Sequence, residues 1–311
     1  MDASQPLKGN SLEWIKQKIA RINSQNQPPP TIEEKHGIPA TLNVVKLPTY
    51  PELVRVVPNL VLRSALFCAG KKAKKGTRDS LERQEIHAQD GIRIIYTGSR
   101  LDQDDLDVWE SVLHAVRHQA IGNQCRVTAY QLLIDQEKTD TGINRDTLNE
   151  RLSRLKATAI DVTAGRYGYE GSLIDEVFRD NETRQYIIRL NPKLSALFAA
   201  DQFTKVDWRV RRALGTKALA KWLHGFYASH AKPFPIKVET LLKLSGSKNL
   251  DPSSGRQTLR NALNALAKAS NDNCLKFNYE ITDNLVHVQK SASLTQRRHL
   301  EKKVAPLKQK P

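Results

Sequence analysis

Residues 253–270 read SSGRQTLRNALNALAKAS, and this stretch decides the fold. Leu259, Leu263 and Leu266 recur at the spacing of one helical face, which predicts an amphipathic α-helix with a leucine stripe turned to a core. The opposite face carries amides and cations, and no Asp or Glu occurs anywhere in the stretch. Ordinary solvated faces mix both signs of charge, so this outer face calls for an explanation.

A similar stretch, LNERLSRLKATAIDV, stands earlier in the chain at 148–162. The two stretches belong to a longer repeat, because three anchors recur at offsets of 109 to 111 residues. The anchor pairs are Leu113 with Leu223, Leu132 with Leu241, and Leu148 with Leu259. Nearly constant offsets of this kind predict two copies of one domain.

Each copy has the same predicted order of elements: a long helix, a short β-branched run, a short helix, a second amphipathic helix and two strands around a turn. That order is typical of a winged helix-turn-helix. We place the first wing turn at Gly165–Gly171, continuing through residues 172–190, and the second at Thr282–Asn284. The sequence therefore predicts an α+β fold with tandem winged-helix domains at 58–201 and 202–290.

The two ends of the chain differ from this body. Residues 1–57 combine a short apolar stripe at 11–22 with a proline-rich segment, and half of the 14 prolines fall between Pro28 and Pro58. We predict a short helix followed by a flexible arm, because proline-rich segments cannot sustain a helix. Residues 291–311 carry six Lys or Arg against Glu301 and are predicted to be a solvated basic tail.

The charge balance indicates the class of partner. The formal net charge is +16, and the body between the two ends still has 36 basic and 27 acidic residues. Clustered Lys and Arg bind nucleic acids by releasing counterions from phosphates. We therefore expect double-stranded DNA as the partner; the alternative is a basic surface without a polyanionic ligand.

The candidate reading helix of the second copy has suitable chemistry for base edges. Amides pair with adenine and arginine pairs with guanine in the major groove. The candidate residues are Arg256, Gln257, Arg260, Asn261, Asn264 and Lys268. The alternative is an ordinary solvated helix face.

The equivalent helix of the first copy is a weaker candidate. It offers Arg145, Asn149 and Arg154, but Asp146 and Glu150 lie on the same side, and carboxylates beside phosphates reduce affinity. We leave open whether this face grips the DNA backbone or contacts a protein.

Further basic segments are candidates for phosphate contact. The glycine-bounded loop GKKAKKGTR at 70–78, the first wing and the junction DWRVRR at 207–212 all carry cations. The corresponding site residues are Lys71, Lys72, Lys74, Lys75, Arg78 and Arg166. A solvated loop is the alternative for 70–78.

Motifs for catalysis and metal binding are missing from the sequence. There is no P-loop signature, no His-x-His pair, and no CxxC spacing among the three cysteines. Glu110, His114 and His118 share a helical face but lack the further ligands of a metal site. No signal-peptide core or transmembrane-length apolar run occurs. We therefore expect a cytoplasmic, DNA-associated binding protein that is no enzyme and has no cofactor or metal.

Several motifs in order resemble the TrfA-like family of plasmid replication initiators over roughly residues 57–290. They are VPNLVLRSALF (57–67), IRIIYTG (92–98), LDQDDLDVWESVLHAVR (101–117), LSRLKATAIDVT (152–163), LFAADQFTKVDW (197–208), YASHAKPFPIKVETLLKLSGS (227–247) and TDNLVHVQK (282–290).

The resemblance implies tandem winged-helix domains that bind iteron repeats at a plasmid origin. It further implies melting of nearby AT-rich DNA, with contact to single strands there, recruitment of the host initiator and replicative helicase, and copy control through a monomer–dimer equilibrium. Family members carry a QLSLF-like clamp-binding motif before the first domain. Here the matching stretch, ATLNVVKLP at 40–48, lacks the glutamine and the terminal aromatic residue, which argues against direct sliding-clamp binding.

Three rival functions remain at the level of sequence. The first is a winged-helix transcriptional repressor without a role in replication. The second is a nicking or recombining enzyme, which the missing His-x-His pair disfavours. The third is a scaffold that recruits helicase through the first copy, which is compatible with an initiator.

Overall fold

A computed structural model describes residues 50–70, 78–89, 91–117, 124–164, 167–180, 182–183, 185–198, 202–249 and 251–304. Helices and strands are mixed along the chain, which gives the α+β class. The predicted N-terminal helix and most of the predicted arm lie outside the described residues. Within those residues, no helix has the length and apolarity needed to cross a membrane.

Two separate apolar cores organise the described chain. The first core collects buried side chains from Tyr50 to Val206, and the second collects them from Val210 to Val288. We call residues 50–207 the first half and residues 208–304 the second half. The cores change over a few residues after the boundary predicted at 201/202, and the domain boundaries themselves stay a prediction.

The first half contains four α-helices and eleven strands among its described residues. The helices are α1 (Asn59–Leu62), α2 (Gln103–Val116), α3 (Ala129–Asp135) and α4 (Gly142–Lys156), with a 3₁₀ helix at Pro192–Phe198. The strands are β1 (Val54–Pro58), β2 (Phe67–Cys68), β3 (Ser80–Ile86), β4 (Ile92–Ser99), β5 (Leu101–Asp102), β6 (Gln124–Thr128), β7 (Ala159–Ala164), β8 (Tyr167–Gly171), β9 (Glu176–Asp180), β10 (Gln185–Arg189) and β11 (Phe203–Asp207).

Polar caps fix where the three longer helices of this half begin. Asp102 accepts hydrogen bonds from the backbone N–H groups of Asp104 and Asp105 at the start of α2, and Thr128 caps α3 in the same manner. Thr141 accepts from the Asn144 N–H at the start of α4. These bonds satisfy N–H groups that have no partner inside the helix.

The hairpins of the first half differ from the prediction. Strand β6 pairs with β10, which pairs with β9, so the hairpin beside the helices turns between Asp180 and Gln185. The hairpin expected to turn at Gly165–Gly171 instead extends a four-stranded antiparallel sheet in the order β3-β4-β7-β8. Ile160 and Val162 of β7 are buried against β4, and their apolar surface holds the strand there.

One further expectation about the first half was wrong. Residues 54–57 belong to β1 rather than to a flexible arm, and Tyr50, Val56 and Val57 are buried in the first core. Strand β1 pairs antiparallel with β11, which the sequence assigned to the second domain. Val56 and Val57 of β1 and Val206 of β11 are almost completely buried, and this apolar burial outweighs the proline content nearby.

The second half contains five helices and three strands among its described residues. They are α5 (Trp208–Ala213), α6 (Ala218–Ala228), β12 (Ile236–Lys237), α7 (Val238–Leu244), α8 (Pro252–Asp272), β13 (Phe277–Thr282), β14 (Leu285–Lys290) and α9 (Leu294–Val304). The antiparallel sheet has the order β12-β14-β13.

The turn predicted at Thr282–Asn284 is confirmed. Strands β13 and β14 turn at Asp283 and Asn284, whose φ angles are 50° and 64°. Such left-handed angles suit Asp and Asn in a two-residue hairpin. The predicted solvated tail is partly wrong, because α9 forms there and Gln296 Nε2 donates to the Ala228 carbonyl at 2.7 Å.

Buried ion pairs join α2 to the second half. Arg211 of α5 is 1% exposed; its Nε lies 2.7 Å from an Asp107 oxygen and 3.2 Å from a Glu110 oxygen. Lys221 of α6 contacts Asp107 at 2.6 Å. The expectation that the segment 207–212 lies on DNA is therefore wrong for Arg211, because its guanidinium is taken up inside the molecule.

Candidate nucleic-acid interface

Helix α8 presents the proposed reading face to solvent. Leu259, Leu263 and Leu266 are fully buried in the second core, as the leucine stripe predicts. Asp251 caps the start of the helix by accepting from the Ser254 N–H at 2.7 Å. The side chains opposite the stripe are exposed: Gln257, Arg260, Asn261, Asn264 and Lys268. Amphipathic packing thus leaves this row of amides and cations on one open surface.

Hydrogen bonds orient the amides of this face. Gln257 Nε2 donates to Asn261 Oδ1 at 3.0 Å. The Tyr279 hydroxyl, on β13, donates to Asn264 Oδ1 at 2.6 Å and to the Arg260 carbonyl at 3.3 Å. Because its oxygen is engaged by Tyr279, Asn264 would offer a base edge its amide N–H groups as donors.

An open cavity of about 740 Å³ lies between the start of α8 and the β13–β14 turn. Its lining residues are Ser253, Ser254, Arg256, Gln257, Arg260 and Asn284. These residues include two arginines and no carboxylate, and the Arg256 Nε has no hydrogen-bond partner. Such a lining favours a phosphate or the polar edge of a groove.

The basic residues of α4 have partners inside the protein. Arg145 pairs with Asp140, and Arg154 lies 2.8 Å from Asp105, which is completely buried. The Tyr186 hydroxyl donates to the side-chain oxygen of the half-buried Asn149. The structure therefore places all three candidates of this helix on α4, but in intramolecular contacts.

Arg78 is also engaged, since its guanidinium contacts Asp102 at 2.8 Å and Asp105 at 3.1 Å. Burial raises the pKa of Asp105, and the neighbouring Asp102 charge adds to the rise, although Arg154 acts in the opposite direction. The remaining loop candidates Lys71, Lys72, Lys74 and Lys75, and the wing candidate Arg166, lie outside the described residues.

Sequence reasoning missed Tyr279 and Asn284. Tyr279 orients Asn264, and Asn284 completes the cavity at the turn. A signal for Tyr279 existed: in the strand FNYEIT it alternates with the buried Phe277, which places both on the side that faces α8. The sequence predicted the turn that contains Asn284, but the position of Asn284 beside Arg256 depends on the fold.

The helical face that has the spacing of metal ligands, with Glu110 and His114, makes contacts inside the protein instead. Burial raises the pKa of Glu110 to about 7, while Arg211 lowers it, and the His114 Nε2 atom lies 2.9 Å from a Glu52 oxygen. His118 lies outside the described residues. In the part of the chain that the structure describes, no group of three or more His, Cys, Asp or Glu could hold a metal ion.

Two solved structures resemble this chain weakly. Domains 2–3 of RctB match with a TM-score of 0.47 and 14% identity, covering 73% of this chain and 96% of that one. The Pi initiator protein in complex with iteron DNA matches with a TM-score of 0.46 and 11% identity, covering 60% of this chain and 91% of that one.

The sequence comparisons are stronger. The plasmid replication initiator protein TrfA of Escherichia coli is 29% identical over 256 residues, which is 80% of this chain but 65% of that protein's length. The chain thus aligns with less than two thirds of that relative. The family model described as TrfA protein matches residues 34–290, which is most of the chain. On this match, the chain belongs to the TrfA family.

Proposed function

We propose that this protein is a plasmid replication initiator that binds iteron repeats in duplex DNA, with α8 as its main reading helix. The observation that carries the proposal is the exposed outer face of α8, which offers three amides and two cations without a carboxylate. The α-helix fits the major groove, where these groups pair with adenine and guanine edges. The relative's description as a plasmid replication initiator supports the biological role.

The proposed architecture is two tandem winged-helix domains. In the second half the order is α6, β12, α7, α8 and the hairpin β13–β14; in the first it is α2, β6, α3, α4 and the hairpin β9–β10. The two three-stranded sheets also agree, since the first strand pairs with the last in both: β6-β10-β9 and β12-β14-β13. Shared element order and shared pairing support a duplicated module.

The two modules have unequal roles in this proposal. Helix α8 reads bases, and the cavity between its start and the β13–β14 turn receives the DNA backbone. Helix α4 contributes backbone contact at most, because Asn149 and Arg154 contact Tyr186 and the buried Asp105, and the partly exposed Arg145 pairs with Asp140. The lysines at 71, 72, 74 and 75 are proposed to add phosphate contacts by their charge alone, whereas Arg78 pairs with Asp102 and Asp105.

The binding mode is tested by footprinting the protein on the origin of its own plasmid, followed by fluorescence anisotropy on one protected repeat. We expect protected direct repeats at about 22-base spacing, two turns of the duplex. Asn261→Ala should weaken binding about tenfold or more and relax preference at one base. Lys268→Ala should weaken all sequences equally and reduce the salt slope by about 1. Lys193→Ala, an exposed lysine of the first half, is the matched control. Unchanged affinity and preference in both α8 variants would reject α8 as the reader.

Initiation itself, by melting of AT-rich DNA and recruitment of the host helicase, is part of the same proposal and rests on family membership. A transcriptional repressor with the same DNA-binding surface is the second candidate. Supplying the protein in trans to a plasmid that carries only the footprinted origin separates the two. An initiator establishes that plasmid, whereas a pure repressor does not.

A further inference from the structure

A cavity of about 390 Å³ lies where the two halves meet. Its walls come from α2, α3 and α4 on one side and from α5, α6 and the turn between them on the other. Leu133, Leu148 and Trp208 belong to the lining but are at most 2% exposed, so the accessible lining is mostly polar or charged. The volume falls in the range of about 300–1,000 Å³ that small-molecule sites occupy.

The charges of this lining do not balance. The five cations are Lys138, Arg151, Arg211, Arg212 and Lys221, and the three carboxylates are Asp104, Asp107 and Glu137. Each carboxylate already pairs with a cation of the lining. These pairs are Asp104 with Arg151 at 2.9 Å, Asp107 with Lys221 at 2.6 Å, and Glu137 with Arg212 at 3.2 Å. Arg211 also lies 3.2 Å from Glu110, a carboxylate just outside the lining, so the cation of the lining that forms no described ion pair is Lys138.

Lys138 is the cation without an acidic partner. Its Nζ donates to the neutral Gln136 Oε1 at 3.0 Å, and no carboxylate of the described residues forms an ion pair with it. Burial, together with the nearby Arg151 charge, lowers the pKa of Lys138 to about 8, against the opposite effect of Asp107 and Asp104. A desolvated ammonium of this kind gains free energy when an anion enters the site.

We propose that this cavity binds a phosphorylated small molecule, with the phosphate beside Lys138. Phosphate suits the site because Lys and Arg donors can surround its oxygens. Since the walls come from both halves, the bound molecule stabilises their junction by mass action. This site is separate from the α8 face and does not depend on the DNA-binding proposal.

The test is isothermal titration of the full chain with pyrophosphate and, separately, with adenosine triphosphate, in a phosphate-free buffer of moderate salt. We expect saturable binding of at least one of the two. Equal affinities mean that the site recognises the phosphate alone; tighter nucleotide binding means that the rest of the nucleotide also contacts the lining. Failure of both to bind at concentrations up to about 1 mM, equivalent to about 4 kcal/mol of binding free energy, would overturn the proposal.

Three variants locate the binding. Lys138→Gln should weaken it about tenfold or more, as expected for the loss of a charge-assisted contact. Thr216→Glu adds a carboxylate at an exposed lining position and should weaken it as well, without touching the buried pairs. Lys217→Gln removes the neighbouring exposed lysine, which is outside the lining, and should leave the affinity unchanged. If Lys217→Gln weakens binding as much as Lys138→Gln, or if neither lining variant weakens it, the anion binds elsewhere and the proposal fails.

Discussion

Helices α4 and α8 occupy equivalent places in the two halves but use their charged residues in opposite ways. On α4, Arg151 and Arg154 turn towards α2 and pair with Asp104 and Asp105. On α8, Arg260 and Lys268 are exposed and form no ion pair with any described carboxylate. The same helix position therefore serves cohesion of the fold in one half and, in our proposal, DNA recognition in the other.

The difference originates in the partner helix. Helix α2 begins with a run of aspartates, which require cations once they are buried, and α4 supplies them. Helix α6, which packs against α8, presents buried Trp222, Leu223 and Phe226 and needs no such compensation from α8. A basic residue on α4 or α8 thus indicates DNA binding only when the helix that packs beneath it has no buried carboxylate to neutralise.

The largest effect should come from removing one arginine from each of the two helices. Arg154→Ala leaves Asp105 buried with one arginine fewer, so we expect the free energy of unfolding to fall by about 3 kcal/mol. Arg260→Ala on α8 should change it by less than about 0.5 kcal/mol, because the side chain is exposed and unpaired, yet should weaken DNA binding. Urea denaturation and anisotropy measure the two quantities. Similar stability losses in both variants would abolish the contrast between the helices.

The buried carboxyl of Glu110 should make the free energy of unfolding depend on pH. Burial raises its pKa from 4.5 to about 7, so the folded state binds the proton more tightly than the unfolded state. The stability from this group is complete below about pH 4.5 and is lost as the pH rises through 7. Relative to Glu110→Gln, the wild type should lose roughly 2–3 kcal/mol between pH 5 and 8.

Urea denaturation of both proteins at pH 5 and pH 8 measures this difference. Parallel stability curves would mean that Arg211 already compensates the ionised carboxylate.

A smaller, matched effect concerns the two tyrosines that reach from a wing strand to an asparagine of the third helix. Tyr279→Phe frees the Asn264 amide and should cost about 1 kcal/mol in discrimination between iteron and unrelated DNA. Tyr186→Phe frees Asn149 and should cost about 1 kcal/mol of stability while leaving DNA affinity within about twofold.

Competition anisotropy and urea denaturation of both variants provide the comparison. A loss of DNA discrimination in Tyr186→Phe would mean that α4 also reads bases.

The leucine stripes determined much of the fold in advance. Leu148, Leu152 and Leu155, and likewise Leu259, Leu263 and Leu266, are fully buried or nearly so, because a 3.6-residue repeat can place apolar side chains on one face only. The same local rule exposes the polar face of α8. The two-residue turn at Asp283 and Asn284 was equally local, since its residue types suit left-handed angles.

Strand pairing and charge pairing were decided by the tertiary structure. The local pattern does not distinguish β7–β8 from β9–β10, because both are hairpins of similar length. Which of them lies beside the helices depends on the sheet with which each one pairs. Likewise Arg154 and Arg260 are both arginines on the third helix of their modules. The sequence by itself determined which residues face inward; only the three-dimensional neighbourhood decided which charges face a buried carboxylate, because ion pairing depends on distance in space and on burial rather than on position along the chain.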